Sequence, residues 1–150
     1  MDDSTTGAQR LRDLRTRLLS QAATQADRRV NEELARADAR KWHYAVLATL
    51  DEFGAVSQAE LSDRTRIYRS DLVAVINELT ARGQVERAPD PADRRRNLIT
   101  LTPQGRRQLH KLDKLLADVE DEVLAPLTGA EREQLARLLT VLVEQHGQHM

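Results

Sequence analysis

The chain has 150 residues, enough for one domain or a compact pair sharing a core, and its 40% hydrophobic and 31% charged content is ordinary for a soluble globular protein. Cysteine is absent, which excludes a disulfide framework, a thiolate metal site and a thiol redox sensor within the chain. Net charge is −1, which taken alone argues against nucleic-acid binding, but a partner feels local charge rather than the sum.

Local charge is segregated. Between residues 82 and 107, Arg82, Arg87, Arg94, Arg95, Arg96, Arg106 and Arg107 outnumber Glu86, Asp90 and Asp93. Between residues 113 and 133 the sign reverses, with only Lys114 and Arg132 against seven carboxylates. The basic stretch suits an anionic partner, and the acidic one suits water. No run is apolar enough to span a bilayer and the N-terminus lacks a signal core, so the expectation is a cytoplasmic protein with no membrane partner.

In chain order, residues 1–7 are polar and expected to fray. A long helix follows: Leu11, Leu14, Leu18 and Ala22, then Val30, Leu34 and Ala37, recur at three- and four-residue steps without Pro or Gly. A second helix carries Val46, Leu47, Leu50 and Phe53 and stops at Gly54. Residues 55–57 suit a short strand. Ser57 with Glu60 reads as a capping box that opens a third helix over 58–64. A fourth helix over 69–82 places Leu72, Val75, Ile76 and Leu79 on one face, and Gly83 ends it.

The rhythm then becomes that of strands. Residues 85–88 form one candidate, and residues 97–102, with Ile99 and Leu101 on one side, form another. Between them PDPADRRR reads as a turn whose Pro and Asp residues block further strand pairing, so the pair is a hairpin with a charged tip. Thr102 then caps a helix with Pro103 at its first position. Along it Leu109, Leu112, Leu116, Val119 and Val123 form a heptad seam, which suits either an intrachain core or dimerisation. Dimerisation is the expectation, because the first helix carries a long stripe with no obvious intrachain partner. Pro126 and Gly129 break the chain, and Thr128 with Glu131 caps a last helix through Leu135, Leu138, Leu139 and Leu142. The tail from His146 to Met150 is expected to be loose.

Two short helices followed by a hairpin make a winged helix-turn-helix. The helix from Arg69 suits the major groove, where base edges carry a distinct donor and acceptor code. The arginines of the hairpin suit a neighbouring minor groove, whose negative potential admits a slim guanidinium.

Asp90-Pro91-Ala92-Asp93-Arg94-Arg95, Ile99-Thr100-Leu101-Thr102 and Gly105 resemble the wing signature of the MarR family of bacterial transcription regulators. The match extends upstream through Leu61, Leu79, Arg82-Gly83 and Val85-Glu86-Arg87, covering roughly residues 42–109. The resemblance implies a mostly α fold with a small β-hairpin wing, in which the winged helix-turn-helix (39–102) is flanked by N-terminal (1–38) and C-terminal (103–150) dimerisation helices. It implies a homodimeric regulator of transcription, a repressor, on a pseudo-palindromic double-stranded operator.

Residue by residue, the resemblance makes Arg95 the minor-groove arginine and Asp93 the aspartate that orients the wing, with Arg94 and Arg96 on phosphate. It makes Arg69, Ser70, Val73, Ala74 and Asn77 the reading face, and Ser57, Gln58 and Arg66 phosphate contacts that fix register. Asp71 departs from a favourable pattern: it suits the helix dipole but repels phosphate unless it accepts from a cytosine amino group or pairs with Arg69. The dimer interface would comprise Leu11, Leu14, Leu18, Leu112, Leu116, Val119, Val123, Leu135, Leu138 and Leu142.

The four histidines are read as structural or solvent-exposed rather than metal-binding, including His146 and His149 beside Glu144. Trp42 and Tyr44 are read as packing residues near where the family often holds a small molecule, and the identity of any effector stays open. No cofactor is expected. The chain lacks a phosphate-cradling Gly loop, a nucleophile elbow and paired His with a carboxylate at metal spacing, so an enzyme is not expected. An architectural DNA-binding protein and a helical protein-interaction module remain the alternatives.

Overall fold

The computed structural model of the protein describes residues 7–147. Its elements are α1 (Gln9–Arg12), α2 (Arg15–Arg36), α3 (Lys41–Phe53), β1 (Val56–Ser57), α4 (Gln58–Thr65), α5 (Arg69–Ala81), β2 (Val85–Asp90), β3 (Asp93–Leu101), α6 (Pro103–Val123) and α7 (Gly129–Gly147). They fall into two compact units, Asp27–Ala117 and the pair of segments Met1–Ala26 and Asp118–Met150.

The unit Asp27–Ala117 is built on aliphatic ridges. Val46, Leu47 and Leu50 of α3, Leu61 of α4, and Leu72, Val75, Ile76 and Leu79 of α5 are all buried. Leu34 from α2 and Leu109 and Leu112 from α6 close the same core. The dozen largest buried side chains include one histidine and no Phe, Tyr or Trp, so this core is aliphatic, as the scarcity of aromatics requires.

The strands form an antiparallel sheet in the order β1-β3-β2. Val56 pairs with Ile99, and Val85 pairs with Leu101. The wing is longer than the sequence reading allowed. Pro89 pairs with Asn97 and Asp90 with Asp93, with a register shift between Pro89 and Asp90. Only Pro91 and Ala92 turn, and Arg94, Arg95 and Arg96 lie on β3 rather than on a loop. Pro89 is tolerated because β2 is an edge strand, where a missing N–H leaves no ladder partner unsatisfied.

The α5–β2 turn and the start of α6 are locked together. Gly83 takes φ +71°, a conformation that L side chains rarely adopt. Thr102 Oγ1 donates to the Gly83 carbonyl at 2.6 Å and accepts from the Gly105 N–H at 3.0 Å. A Cβ on Gly105 would stand 2.0 Å from the Gln84 carbonyl oxygen, so only glycine lets α6 approach this turn.

In the other unit, the N-terminal helix is interrupted. α1 ends at Arg12, and α2 begins at Arg15. The Asp13 N–H still reaches the Gln9 carbonyl at 3.0 Å, but the Leu14 N–H turns to the Leu11 carbonyl at 3.4 Å, which ends the α-helical ladder there. Leu11, Leu14, Leu18 and Leu19 are exposed. At the head of α7, Thr128 and Glu131 form the expected reciprocal cap, with N–H to Oε1 at 2.9 Å and N–H to Oγ1 at 3.2 Å. Arg132 bonds the Leu124 carbonyl and Asp121 Oδ1, both at 3.1 Å, which braces the α6–α7 corner.

The heptad seam divides by burial within the chain. Leu112 is completely buried in the protomer's own core, and Leu116 packs against that core. Val119 is also buried, and Val123 and Leu135 are half-buried. Leu138, Val141, Leu142 and Val143 of α7 are exposed, as are the N-terminal leucines. The expected fraying of 1–7 and looseness of the tail fall mostly outside the described residues.

Candidate nucleic-acid interface

The α5 helix buries one ridge and exposes another. Leu72, Val75, Ile76 and Leu79 point into the core, so Arg69, Ser70, Val73, Ala74 and Asn77 are exposed, as their spacing requires. The helix starts without a side-chain cap, at Tyr68. Tyr68 is 80% exposed, the most exposed of the large hydrophobic side chains, and it sits at the mouth of this ridge. Sequence reasoning passed over it; the signal was an aromatic in a chain nearly devoid of them, one residue before the expected reading helix.

The α5 helix is held from two sides through adjacent residues. Arg87 Nη2, from β2, donates to Asn77 Oδ1 at 2.6 Å, so Asn77 is part of a wing-to-helix tie as well as a surface residue. From α3, His43 Nε2 lies 2.6 Å from Glu78 Oε2, and Arg40 Nη2 donates to the same oxygen at 2.6 Å. Arg82 pairs with Asp38 in the α2–α3 turn. Burial lowers the pKa of His43, aided by Arg82 and Arg40 and opposed by Glu78. The hydrogen bond from His43, then that from Arg40, holds the Glu78 carboxyl below its usual range. Asp71 is half-buried in the first turn of α5 and forms no ion pair with Arg69 among the described residues.

On the wing, Asp93 Oδ1 accepts from the backbone N–H of Arg95 at 3.1 Å and from its Nε at 3.3 Å. The Arg95 side chain is otherwise in solvent, 92% exposed. Asp90 Oδ1 accepts from the Ala92 N–H at 2.9 Å and shapes the turn. Alternation along β3 sends Arg94 and Arg96 to the opposite face from Arg95. Arg96 lines a cleft of about 430 Å³ with Ser57, Glu60, Asp63 and Leu98, so its neighbours include two carboxylates.

The expected phosphate contacts separate. Arg66 is exposed and caps α4 with φ +60°. Gln58 is half-buried at the first position of α4. Ser57 is 6% exposed, and its Oγ accepts from the Glu60 N–H at 3.1 Å. Its side chain caps a helix and is withdrawn from the surface.

Trp42 is 43% exposed and lines an open hollow of about 370 Å³ with Asn31, Ala35, Ala39, Arg40 and Lys41. Tyr44 Oη donates to Asp113 Oδ1 at 2.7 Å, which ties α3 to α6. Among the described residues no three His, Asp or Glu side chains stand close enough to hold a metal; His149 lies outside them. Among them, too, no helix is long and apolar enough to cross a membrane.

Residues 38–96 match the profile of the MarR family. The chain is 30% identical over 102 residues to the transcriptional regulator HosA of Escherichia coli O111:H-, covering 68% of this chain and 76% of HosA. It is 28% identical over 101 residues to the HTH-type transcriptional repressor NicR of Pseudomonas putida, covering 67% of this chain and 64% of NicR. It is 30% identical over 105 residues to a transcriptional regulatory protein for the hcr operon of Thauera aromatica, covering 70% of this chain and 63% of that one. The chain thus spans under two thirds of the last two relatives. Among solved structures, an E. coli MarR variant in complex with operator DNA superposes with a TM-score of 0.75 at 27% identity, covering 85% of this chain and 92% of that one. BpsR of Bordetella bronchiseptica, whose DNA binding is regulated by 6-hydroxynicotinic acid, superposes with a TM-score of 0.74 at 28% identity, covering 85% and 96%.

Proposed function

The chain belongs to the MarR family of winged helix-turn-helix, DNA-binding transcription regulators, a family of regulators and not of enzymes, and from that premise we propose that it is a repressor that binds a pseudo-palindromic operator as a homodimer. Helix α5 enters the major groove, and the β2–β3 wing enters the flanking minor groove. The observation that carries this reading is the pairing of two exposed features on one unit: the outward ridge of α5 and an arginine on β3 aimed by a neighbouring carboxylate.

In this reading Arg69, Ser70, Val73, Ala74 and Asn77 face base edges, and Tyr68 joins them at the helix start. Its ring suits a thymine methyl group and its hydroxyl a phosphate. Arg95 occupies the minor groove, Asp93 orients it, and Arg94, Arg66 and Gln58 meet the backbone. Arg96 contributes less to phosphate binding than Arg94, because Glu60 and Asp63 share its cleft. Half-sites should lie ~10 bp apart, centre to centre, since the dimer presents its two helices to one side of the duplex. The reading extends to a small-molecule effector of unassigned identity, supported by the ligand response of BpsR and by the open hollow beside Trp42.

The test is selection of bound sequences from a random duplex library by the purified protein, run beside Arg95→Ala. Enrichment of a palindrome by the wild type, blurred in the variant, supports the reading and yields the operator. Retention without enrichment would make the protein architectural. No retention at low salt would remove the DNA role of these arginines.

A further inference from the structure

His43 is 2% exposed, and both of its ring nitrogens are committed. Nδ1 accepts from the backbone N–H of Arg40 at 3.0 Å. That N–H belongs to the residue that caps α3, so the imidazole does the work that Glu or Gln does at the third position of a capping box. An accepting Nδ1 carries no proton, so a neutral ring must carry its hydrogen on Nε2. That hydrogen points at Glu78 Oε2, 2.6 Å away on α5. One buried ring thus joins the start of α3 to the helix assigned to the major groove.

A second proton has nowhere to go without damage. It would sit on Nδ1, facing the Arg40 N–H, and would set two donors against each other. It would also place an imidazolium beside Arg40, which shares the same Glu78 oxygen, and near Arg82. The charged groups that face the ring are Arg40 at the start of α3, Glu78 on α5 and Arg82 at the C-terminal cap of α5; Arg82 is itself paired with Asp38 of the α2–α3 turn. Glu78 is the sole anion among the three, and Arg40 already occupies it.

We propose that His43 is a positioning residue that seats α5 for DNA only while its ring is neutral, so that acid weakens operator binding. This rests on the DNA-binding role of α5 proposed above. The sign is diagnostic. Adding protons to a DNA-binding protein ordinarily strengthens its attraction to phosphate. Here the cluster opposes that trend. Burial lowers the pKa of His43, so the seat is intact above the ordinary histidine range and is lost as pH falls through the lowered value.

The experiment measures affinity for the palindrome recovered by selection at pH 7.5, 6.5 and 5.5, at fixed ionic strength, for the wild type and His43→Gln. Glutamine keeps an acceptor for Arg40 and a donor for Glu78, and it does not titrate. Far-UV circular dichroism on the same samples reports the fold. The expected result is a weakening of about twofold or more in the wild type at pH 5.5, a flat or rising affinity in His43→Gln, and unchanged helix content in both. Parallel curves for the two proteins would overturn the proposal. So would a loss of helix in the wild type at pH 5.5, which would mean that the proton unfolds the chain instead of unseating α5. A wild type that binds no duplex at pH 7.5 would instead remove the DNA reading itself.

Discussion

A single oxygen of Asp93 holds Arg95 twice, by the backbone N–H at 3.1 Å and by Nε at 3.3 Å. The bond leaves the two Nη groups of the guanidinium, its donor-rich end, facing outward. An exposed pair of this kind contributes little to stability. Its effect is on direction: the long side chain loses rotamers before it meets DNA. Arg95→Ala is expected to weaken operator binding by about tenfold and to lower the salt dependence by about one counterion. Asp93→Ala should weaken binding less, and Arg95→Ala/Asp93→Ala should bind no worse than Arg95→Ala. Strictly additive effects in quantitative gel-shift titrations would show that Asp93 does not act through Arg95.

Much of the fold is legible in the sequence because local rules suffice for it. Leu72, Val75, Ile76 and Leu79 at helical spacing place α5 and its outward face without further information. Thr102, Pro103 and Gly105 place the start of α6. The wing is less legible: Pro89 reads as a stop unless one knows that β2 is an edge strand, and strand order is a tertiary fact. The heptad from Leu109 to Val123 is ambiguous for the same reason, since a seam looks alike whether it faces a partner or its own core. Glu78 lies thirty-five residues beyond His43, and no spacing rule joins them.

Gly105 is a packing requirement, and its replacement should show it. A methyl group there meets the Gln84 carbonyl oxygen at 2.0 Å and Leu101 Cδ1 at 2.7 Å. The carbonyl is backbone and cannot swing aside, so α6 or the α5–β2 turn must shift. Gly105→Ala is expected to destabilise the protein by about 3 kcal/mol. Chemical denaturation measures this directly. A midpoint unchanged from the wild type would mean that the turn yields at little cost.

The cap of α7 predicts a dependence on pH. The Thr128 backbone N–H, and then its hydroxyl, hold the Glu131 carboxyl below its ordinary range. A depressed carboxyl contributes stability above its unfolded pKa and loses it as pH falls through the folded value. Glu131→Gln keeps an acceptor for the Thr128 N–H but removes the charge. The melting temperature of Glu131→Gln should therefore lie below that of the wild type near neutral pH, with the gap closing as the solution is taken below the ordinary carboxylate range. A gap constant from pH 7 to pH 3 would assign the difference to something other than ionisation.

The apolar surface of α7 is the strongest remaining pointer to a second copy of the chain. Isolated exposed leucines are ordinary, but Leu138, Val141, Leu142 and Val143 crowd the second half of one helix, and Val143 is 70% exposed. Water tolerates such a cluster poorly, and a two-fold partner would cover it with the same residues. Leu142→Glu is expected to halve the mass measured by sedimentation equilibrium, to leave helix content unchanged, and to weaken operator binding because two half-sites are no longer bound together. Leu112→Ala is the counter-experiment on the same apolar set. Leu112 is buried in its own core, so its loss should cost about 3 kcal/mol of stability with the dimer mass retained. The reverse pattern, with Leu112→Ala dissociating the dimer and Leu142→Glu leaving it whole, would put the interface on the seam of α6 and overturn the assignment to α7.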